Sequence, residues 1–354
     1  MAAARIRVLI VDDSAIARDL IERGLSRRPE IEVVAKASDA FSARDKIVLK
    51  SPDVVTLDVE MPKMDGIEFL KRLLPQYPVP VIVVSAVTTE GSQRALEALS
   101  AGAAAVVGKP QAGDRAGLEA MLNELADAVI EASKIKLKNI REPIAPRVHS
   151  TTQKRISDRF VVIGASTGGT IALQTLIPSF PADMAPTLVV QHMPPVFTRM
   201  FADSLGKVSR VKVREAQDGD ALEQGLVLVG AGDFHMRIVK DGLKYRVRLD
   251  QAPKVSGHRP SVDVLFQSAA QVIGSRTLGF LMTGMGRDGA DGLLQIKNAG
   301  GRCLSQDEES SVVFGMPKEG WENGAAERLV SLDRAADLIL EMLAEGVGEG
   351  QWRR

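Results

Sequence analysis

Phe160-Val161-Val162-Ile163-Gly164-Ala165-Ser166-Thr167-Gly168-Gly169-Thr170 opens with four consecutive apolar residues, which read as a buried strand. It then breaks into small residues around one serine, and Ile171, Leu173, Leu176 and Ile177 resume at helical spacing. A strand, a tight small-residue turn and a helix in that order lift a serine hydroxyl to the edge of a sheet. They also aim helix N-terminal amides at whatever sits there. Gly164-Ala165-Ser166-Thr167-Gly168 fits the G-x-S-x-G nucleophile pattern. A glycine-rich strand-to-helix turn also suits a phosphate or dinucleotide. Here, however, the spacing is G-x-x-x-G-G rather than G-x-G-x-x-G, and no lysine follows as a P-loop requires. On this turn alone both readings stay open.

Outward from it, strand-like runs recur at 187–190, 211–213, 226–229 and 278–282. Residues 235–239 and 245–249 flank Lys240-Asp241-Gly242, a hairpin signal. This half therefore reads as a mostly parallel α/β domain with an antiparallel excursion. If Ser166 is a nucleophile it needs a base, and the base needs an orienter. The chain has four histidines. His192 directly follows the strand Leu188-Val189-Val190 and would share a sheet edge with Ser166. His235 stands at a strand start, His149 lies in a basic stretch, and His258, in a loop, is the next candidate base. Phe280-Leu281-Met282 leads into Thr283-Gly284-Met285-Gly286-Arg287-Asp288-Gly289, again a strand, a glycine-rich turn and a carboxylate. Asp288 could take the imidazole N–H, and the turn amides could face a developing oxyanion. The order Ser, His, Asp differs from the Ser, Asp, His of the α/β-hydrolases and disfavours a standard member of that fold.

The first part of the chain alternates strand and helix patterns. Five short apolar runs stand at 8–11, 31–35, 54–57, 81–84 and 105–107. Ile16, Leu20, Ile21 and Leu25 fall on one helical face, and Ile67, Leu70 and Leu74 on another. That pattern implies a parallel sheet covered on both sides, with ligands at the carboxyl ends of its strands. Asp12 and Asp13 follow the first strand, Asp58 the third, Ser85 the fourth and Lys109 the fifth. Three carboxylates in one crevice call for a hard divalent cation, most simply Mg²⁺, and a lysine and a hydroxyl beside them would receive a phosphoryl group. A helix with Leu118, Met121, Leu122 and Leu125 at core spacing is expected from Asp114 to about Leu137. After it, a basic stretch with Pro, Ser and Thr, Lys138 to Arg159, reads as a linker.

Two resemblances follow from these residues. Val11-Asp12-Asp13-Ser14, Leu57-Asp58-Val59-Glu60-Met61-Pro62-Lys63-Met64-Asp65-Gly66, Val84-Ser85-Ala86 and Gly108-Lys109-Pro110 resemble the receiver domains of response regulators. The resemblance implies a flavodoxin-like (βα)5 fold with Asp58 as phospho-acceptor. It implies Mg²⁺ held by Asp12, Asp13, Asp58 and the Glu60 carbonyl, and Ser85 and Lys109 on the phosphoryl oxygens. Where many receivers carry an aromatic three residues before the lysine, this chain has Val106.

The second half resembles the chemotaxis protein-glutamate methylesterases. The matching motifs are Ile163 to Gly169, Gln191-His192-Met193-Pro194, Gly257-His258-Arg259-Pro260-Ser261-Val262-Asp263, Gly284 to Gly289, and Ser305-Gln306-Asp307-Glu308 through Phe314-Gly315-Met316-Pro317. That resemblance implies a Ser166–His192–Asp288 triad and an oxyanion hole of amides near Thr167 and Met285. The implied substrates are methylated glutamates of chemoreceptor cytoplasmic helices, with deamidation of receptor glutamines as a further activity. The implied phosphodonor is a chemotaxis histidine kinase, and the ester hydrolysis is expected to need no cofactor. The expected organisation is a receiver over 1–130, a helix end and linker over 131–157, and a doubly wound catalytic domain over 158–350.

Composition narrows the rivals. With 45 basic and 45 acidic residues in 354, no nucleic-acid footprint is visible, which weighs against a receiver-controlled DNA-binding regulator. A nucleotide-binding enzyme built on the Gly164–Gly169 turn remains the other rival. The single cysteine, Cys303, excludes an internal disulfide framework and suits a reducing cytoplasm. No apolar run is long enough to span a bilayer, so membrane insertion is not expected.

Overall fold

The structure, a computed structural model, describes residues 4–61, 64–86, 88–111, 113–135 and 158–345, without the side chains of 89, 90 and 92. Most of the expected linker, with His149, and the last residues of the expected catalytic domain lie outside the described residues. The chain divides into two compact units, Met1–Ile140 and Arg141–Arg354.

The first unit runs β1 (Ile6–Val11), α1 (Ala15–Leu25), β2 (Ile31–Ala37), α2 (Ala40–Lys50), β3 (Val54–Leu57), α3 (Gly66–Leu73), β4 (Val81–Ala86), α4 (Thr89–Ser100), β5 (Ala105–Lys109) and α5 (Arg115–Ala132). Its strands form one parallel sheet in the order β2-β1-β3-β4-β5. Val8 to Val11, Val54, Val55, Leu57 and Val81 to Val84 are buried, as a sheet covered on both faces requires. Side-chain caps start the helices: Ser14 accepts from the Ala17 amide, Asp39 from Ser42 and Asp114 from Gly117. The strand order reverses between β1 and β3, so their carboxyl ends flank a crevice.

Two expectations change here. Ile16 is 74% exposed rather than part of the apolar face of α1, which instead buries Ile21, Gly24 and Leu25. Its close packing lies in its last turn, where a Cβ on Gly24 would stand 2.6 Å from the Leu122 side chain of α5. The helix expected to reach about Leu137 ends at Ala132, and Leu137 itself lies outside the described residues.

The second unit runs β6 (Phe160–Ala165), α6 (Gly169–Leu176), β7 (Thr187–Gln191), α7 (Phe197–Val208), β8 (Lys212–Glu215), β9 (Leu226–Val229), β10 (His235–Asp241), β11 (Lys244–Asp250), α8 (Val262–Val272), β12 (Thr277–Leu281), α9 (Ala290–Asn298), β13 (Arg302–Gln306), α10 (Met316–Glu322), β14 (Arg328–Val330) and α11 (Leu332–Ala344). Seven strands make a wholly parallel sheet, β14-β13-β12-β6-β7-β9-β8. The antiparallel hairpin β10–β11 is a separate two-stranded sheet rather than an excursion within the main one.

Strand β6 is the pivot. The chain leaves it toward β7, β9 and β8 on one side and returns on the other with β12, β13 and β14, so the ends of β7, β6 and β12 face one switch point. All six residues of β6 are buried. A Cβ on Gly164 would meet Val262 Cγ1 at 2.1 Å, so the start of α8 packs directly on the end of β6. Among the described residues no helix is long and apolar enough to cross a membrane.

Candidate active site

Ser166 is the first residue beyond β6. Its amide donates to Thr283 O at 3.0 Å, tying the serine turn to the end of β12. Gly168, at φ 78°, turns the chain into α6. That left-handed conformation favours glycine, and a Cβ there would also meet Val312 at 2.5 Å. In the β6–β7 register Ala165 lies beside Gln191, so Ser166 and His192 each stand one residue past a paired position. The His192 amide donates to Ala165 O at 3.1 Å, which keeps the two strand ends together.

The imidazole of His192 is largely buried. Its Nε2 lies 2.8 Å from Asp288 Oδ2, while its Nδ1 is buried with no hydrogen-bond partner among the described residues. A carboxylate partner makes Nε2 a protonated nitrogen, and in the neutral ring Nδ1 is then the acceptor. Asp288, 2% exposed, is held at the start of α8. Its Oδ1 accepts from Ser261 Oγ at 2.7 Å and the Asp263 amide at 3.2 Å, and its Oδ2 also accepts from the Val262 amide at 2.7 Å. Burial opposes its charge, but the hydrogen bond and charge of His192 with the Ser261 and Val262 donors hold its carboxyl well below the ordinary carboxylate range. Asp263 goes the other way. Burial, with Asp288 nearby, pushes it up to about 6, although its Oδ1 accepts from the Gly292 amide at 2.7 Å.

His258 stacks on His192, with ring centroids 3.7 Å apart and planes 11° off parallel. Burial and the neighbouring imidazole push it down to about 3, so it is neutral at ordinary pH. His235 is fully buried, with Nε2 on Pro253 O at 3.1 Å and Nδ1 accepting from the Ser261 amide at 3.3 Å. It braces the loop that holds Asp288.

The amides of Thr167 and Met285 donate to nothing among the described residues. Thr283 fixes the turn between them: its hydroxyl accepts from the Val313 amide at 3.0 Å and lies 2.9 Å from Thr167 O. Gln306, the last residue of β13, accepts the Thr283 amide at 2.9 Å. A buried serine, an imidazole and two amides without an acceptor among the described residues thus stand at neighbouring strand ends on one sheet edge, a set suited to acyl transfer.

The acidic cluster of the first unit lies at the β1/β3 crevice. Oxygens of Asp12, Asp13 and Asp58 all stand within 4.8 Å of one another. Lys109 Nζ bridges Asp12 Oδ2 at 2.9 Å and Asp58 Oδ2 at 2.5 Å. Burial and the Asp58 charge raise Asp12 above its ordinary value although Lys109 opposes them. Lys109, whose burial works against its charge, is raised by its two carboxylates. Ser85 is the penultimate residue of β4 and Lys109 the last of β5, so they stand within their strands rather than beyond them. The Ser85 hydroxyl donates to Gly91 O at 3.0 Å, in the first turn of α4, rather than to the acidic cluster. Val106 is buried in β5.

The CheB methylesterase family matches residues 161–339, and the response regulator receiver domain matches residues 8–122. A protein-glutamate methylesterase/protein-glutamine glutaminase from Syntrophotalea carbinolica is 48% identical over 347 residues, covering 96% of this chain and 98% of its own. The chain belongs to the CheB methylesterase family. A relative of the same name from Chromohalobacter salexigens is 44% identical and covers 99% of both chains. The crystal structure of the Thermotoga maritima CheB methylesterase catalytic domain is 38% identical, covers 52% of this chain and 99% of its own, and superposes with a TM-score of 0.52.

The two-part α/β organisation expected of such a family is the one observed. Sequence reading placed Ser166, His192 and Asp288 at strand ends, and the fold brings those ends to one edge. It gave no role to Ser261, Thr283, Gln191 or Gln306. The Ser261-Val262-Asp263 motif is visible in the sequence, but its link to Asp288 crosses a whole helix and strand.

Proposed function

We propose that this chain hydrolyses methyl esters of glutamate side chains on chemoreceptor helices, and deamidates receptor glutamines, with Ser166 as nucleophile, His192 as base and Asp288 as orienter. The observation that carries this is the 2.8 Å contact of His192 Nε2 with Asp288, which leaves the other ring nitrogen, the buried Nδ1, to act as base. Ser166 Oγ attacks the ester carbonyl carbon while Nδ1 takes its proton. The carbonyl oxygen becomes an oxyanion facing the Thr167 and Met285 amides. The imidazolium returns its proton to the leaving methoxide, and methanol departs. Water then gives a proton to Nδ1 and attacks the acyl carbon. Ser166 recovers its proton, and a carboxylate remains on the receptor. With a glutamine substrate the group that leaves is ammonia.

In the receiver domain, residues 1–130, Asp58 accepts a phosphoryl group from a chemotaxis histidine kinase. Three carboxylates whose oxygens converge within 4.8 Å fit a hard, oxygen-seeking divalent cation. Asp12, Asp13, Asp58 and the Glu60 carbonyl would hold Mg²⁺, which when bound offsets the negative charge gathered there. Lys109 is already on Asp58 and neutralises part of that charge. To reach a phosphoryl oxygen, the Ser85 hydroxyl exchanges its Gly91 acceptor. That exchange disturbs the first turn of α4 without help from Val106. Phosphorylation in this way regulates the esterase in the cytoplasm.

Methanol release from methylated receptor tests the core of this reading. The purified chain is expected to release it and Ser166→Ala is not. Equal release by the two would overturn the assignment.

A further inference from the structure

We infer that Gln191 is a positioning residue for the esterase reaction: its side-chain amide aims the Thr167 N–H at the oxyanion. This rests on the proposed role of that amide. In a trans peptide the N–H points opposite to the C=O, so whatever holds Ser166 O sets the direction of the Thr167 N–H. Ser166 O accepts from Gln191 Nε2 at 2.8 Å and from the Gly169 amide at 2.8 Å. With the carbonyl held inward by two donors, the N–H is turned the other way. The Met285 amide is aimed on the same principle by backbone alone. Gly284 O accepts from the Gly315 amide at 3.2 Å and the Met316 amide at 2.8 Å. Of the two donor peptides, only the one after Ser166 depends on a side chain.

Gln191 is 3% exposed and directly precedes His192. Its Nε2 also lies 3.2 Å from His192 O. Two carbonyl oxygens at one end of the side chain identify that end as the NH₂. The other end, Oε1, is buried without a partner among the described residues. It sits so close to Gly169 that a Cβ there would come within 2.1 Å of it. Stranding a buried acceptor is costly. An apolar side chain of the same length would fill the space without that cost, and what glutamine adds is the Nε2 donor. One residue thereby ties the base's own backbone to the peptide that carries the oxyanion donor.

Gln191→Met keeps the volume and removes the donor. On a helical peptide bearing a glutamate γ-methyl ester, kcat is expected to fall about 10²-fold, the scale of one misdirected oxyanion donor, with KM within about threefold. The second readout is the same peptide with a γ-thionoester, whose sulfur is a weak acceptor. Aimed amides favour the oxygen ester, so the preference for it should narrow at least about tenfold in the variant. A packing defect would slow both esters alike. Equal slowing of both, or kcat within about threefold of wild type, overturns the inference. If Gln191→Met fails to fold, Gln191→Leu is put through the same two measurements with the same criteria. Ser166→Ala, run alongside, separates the levels. An inactive Ser166→Ala beside a Gln191 variant with wild-type kcat refutes the positioning role alone, whereas an active Ser166→Ala refutes the nucleophile assignment beneath it.

Discussion

Replacing Asp288 by asparagine removes a charge and keeps the shape, and the hydrogen bonds around it set what should follow. Oδ2 faces two N–H donors, Val262 at 2.7 Å and His192 at 2.8 Å. Oδ1 faces the Ser261 hydroxyl at 2.7 Å and the Asp263 amide at 3.2 Å. An asparagine NH₂ in the Oδ2 place would meet two donors at close range. In the Oδ1 place it meets a hydroxyl that can turn to accept, and an amide already at long range. The second orientation wins, so His192 keeps an acceptor on Nε2 and Nδ1 stays the base. What is lost is the counter-charge of the imidazolium. For unit charges about 4 Å apart at an effective dielectric of about 20, that attraction is about 4 kcal/mol. With half the charge developed in the transition state it is about 2 kcal/mol. The expected loss in kcat therefore lies between about thirtyfold and a thousandfold. A tautomer reversal would instead cost about 10⁴-fold. Methanol release at saturating substrate measures the loss. A single-variant kcat within threefold of wild type would refute the coupling of Asp288 to the base, and a single-variant loss of 10⁴ would refute the orientation argument.

Ser166→Ala should fold normally and lose at least about 10³ in kcat, measured beside its circular dichroism spectrum. His258, pushed down to about 3, is neutral from pH 5 to 9, and His258→Phe can stack as it does. Its kcat should stay within about fivefold of wild type, and a loss as deep as that of Ser166→Ala would make His258 the base. Asp263, pushed up to about 6, contributes stability that is complete below its ordinary value of 3.8 and is lost as pH rises through about 6. Asp263→Asn stays neutral and keeps an oxygen for the Gly292 amide, so in urea it should match wild type near pH 4 and exceed it at pH 8. A difference that does not change with pH would contradict this. With Mg²⁺ and a small phosphodonor, one base-labile phosphoryl group should appear on the chain and methanol release should rise. Asp58→Asn should show neither, and equal labelling of that variant would move the acceptor elsewhere.

The strands that could be read from sequence are those whose side chains are apolar on both faces. Val8 to Val11, Val81 to Val84 and Leu226 to Val229 are buried throughout and appear as unbroken β-branched or leucine runs. Strands β13 and β14 gave no such signal. Arg302-Cys303-Leu304-Ser305-Gln306 carries polar residues into the interior, where Ser305 and Gln306 are fully buried, and Gln306 serves the serine turn by accepting from Thr283. Arg328–Val330 is a three-residue edge strand with two exposed positions, too short for any period to show. Ile16 failed in the opposite sense. Its spacing fits an apolar face, but spacing does not say how far along a helix the packing extends.

The site divides along the same physical line. A residue at a strand end can be found from sequence because the sheet itself brings strand ends together, which is how Ser166, His192 and Asp288 came to be placed at one edge. The roles within that edge depend on contacts that no spacing encodes. Asp288 is ionised and oriented by Ser261, Val262 and Asp263, which come from the start of α8, 25 or more residues earlier in the chain. Which imidazole nitrogen serves as base follows from where that carboxylate sits. Both free amides depend on carbonyls held from elsewhere, Ser166 O by Gln191 and Gly284 O by the start of α10. The crevice of the first unit was more legible because its residues are charged: converging carboxylates repel and favour a cation beside them, so their chemistry shows in the residue types alone. The proposed esterase site works through backbone dipoles and one imidazole. Its sequence signature is therefore mostly glycines and small residues, which mark where backbone must come close without saying which donor will be aimed at what.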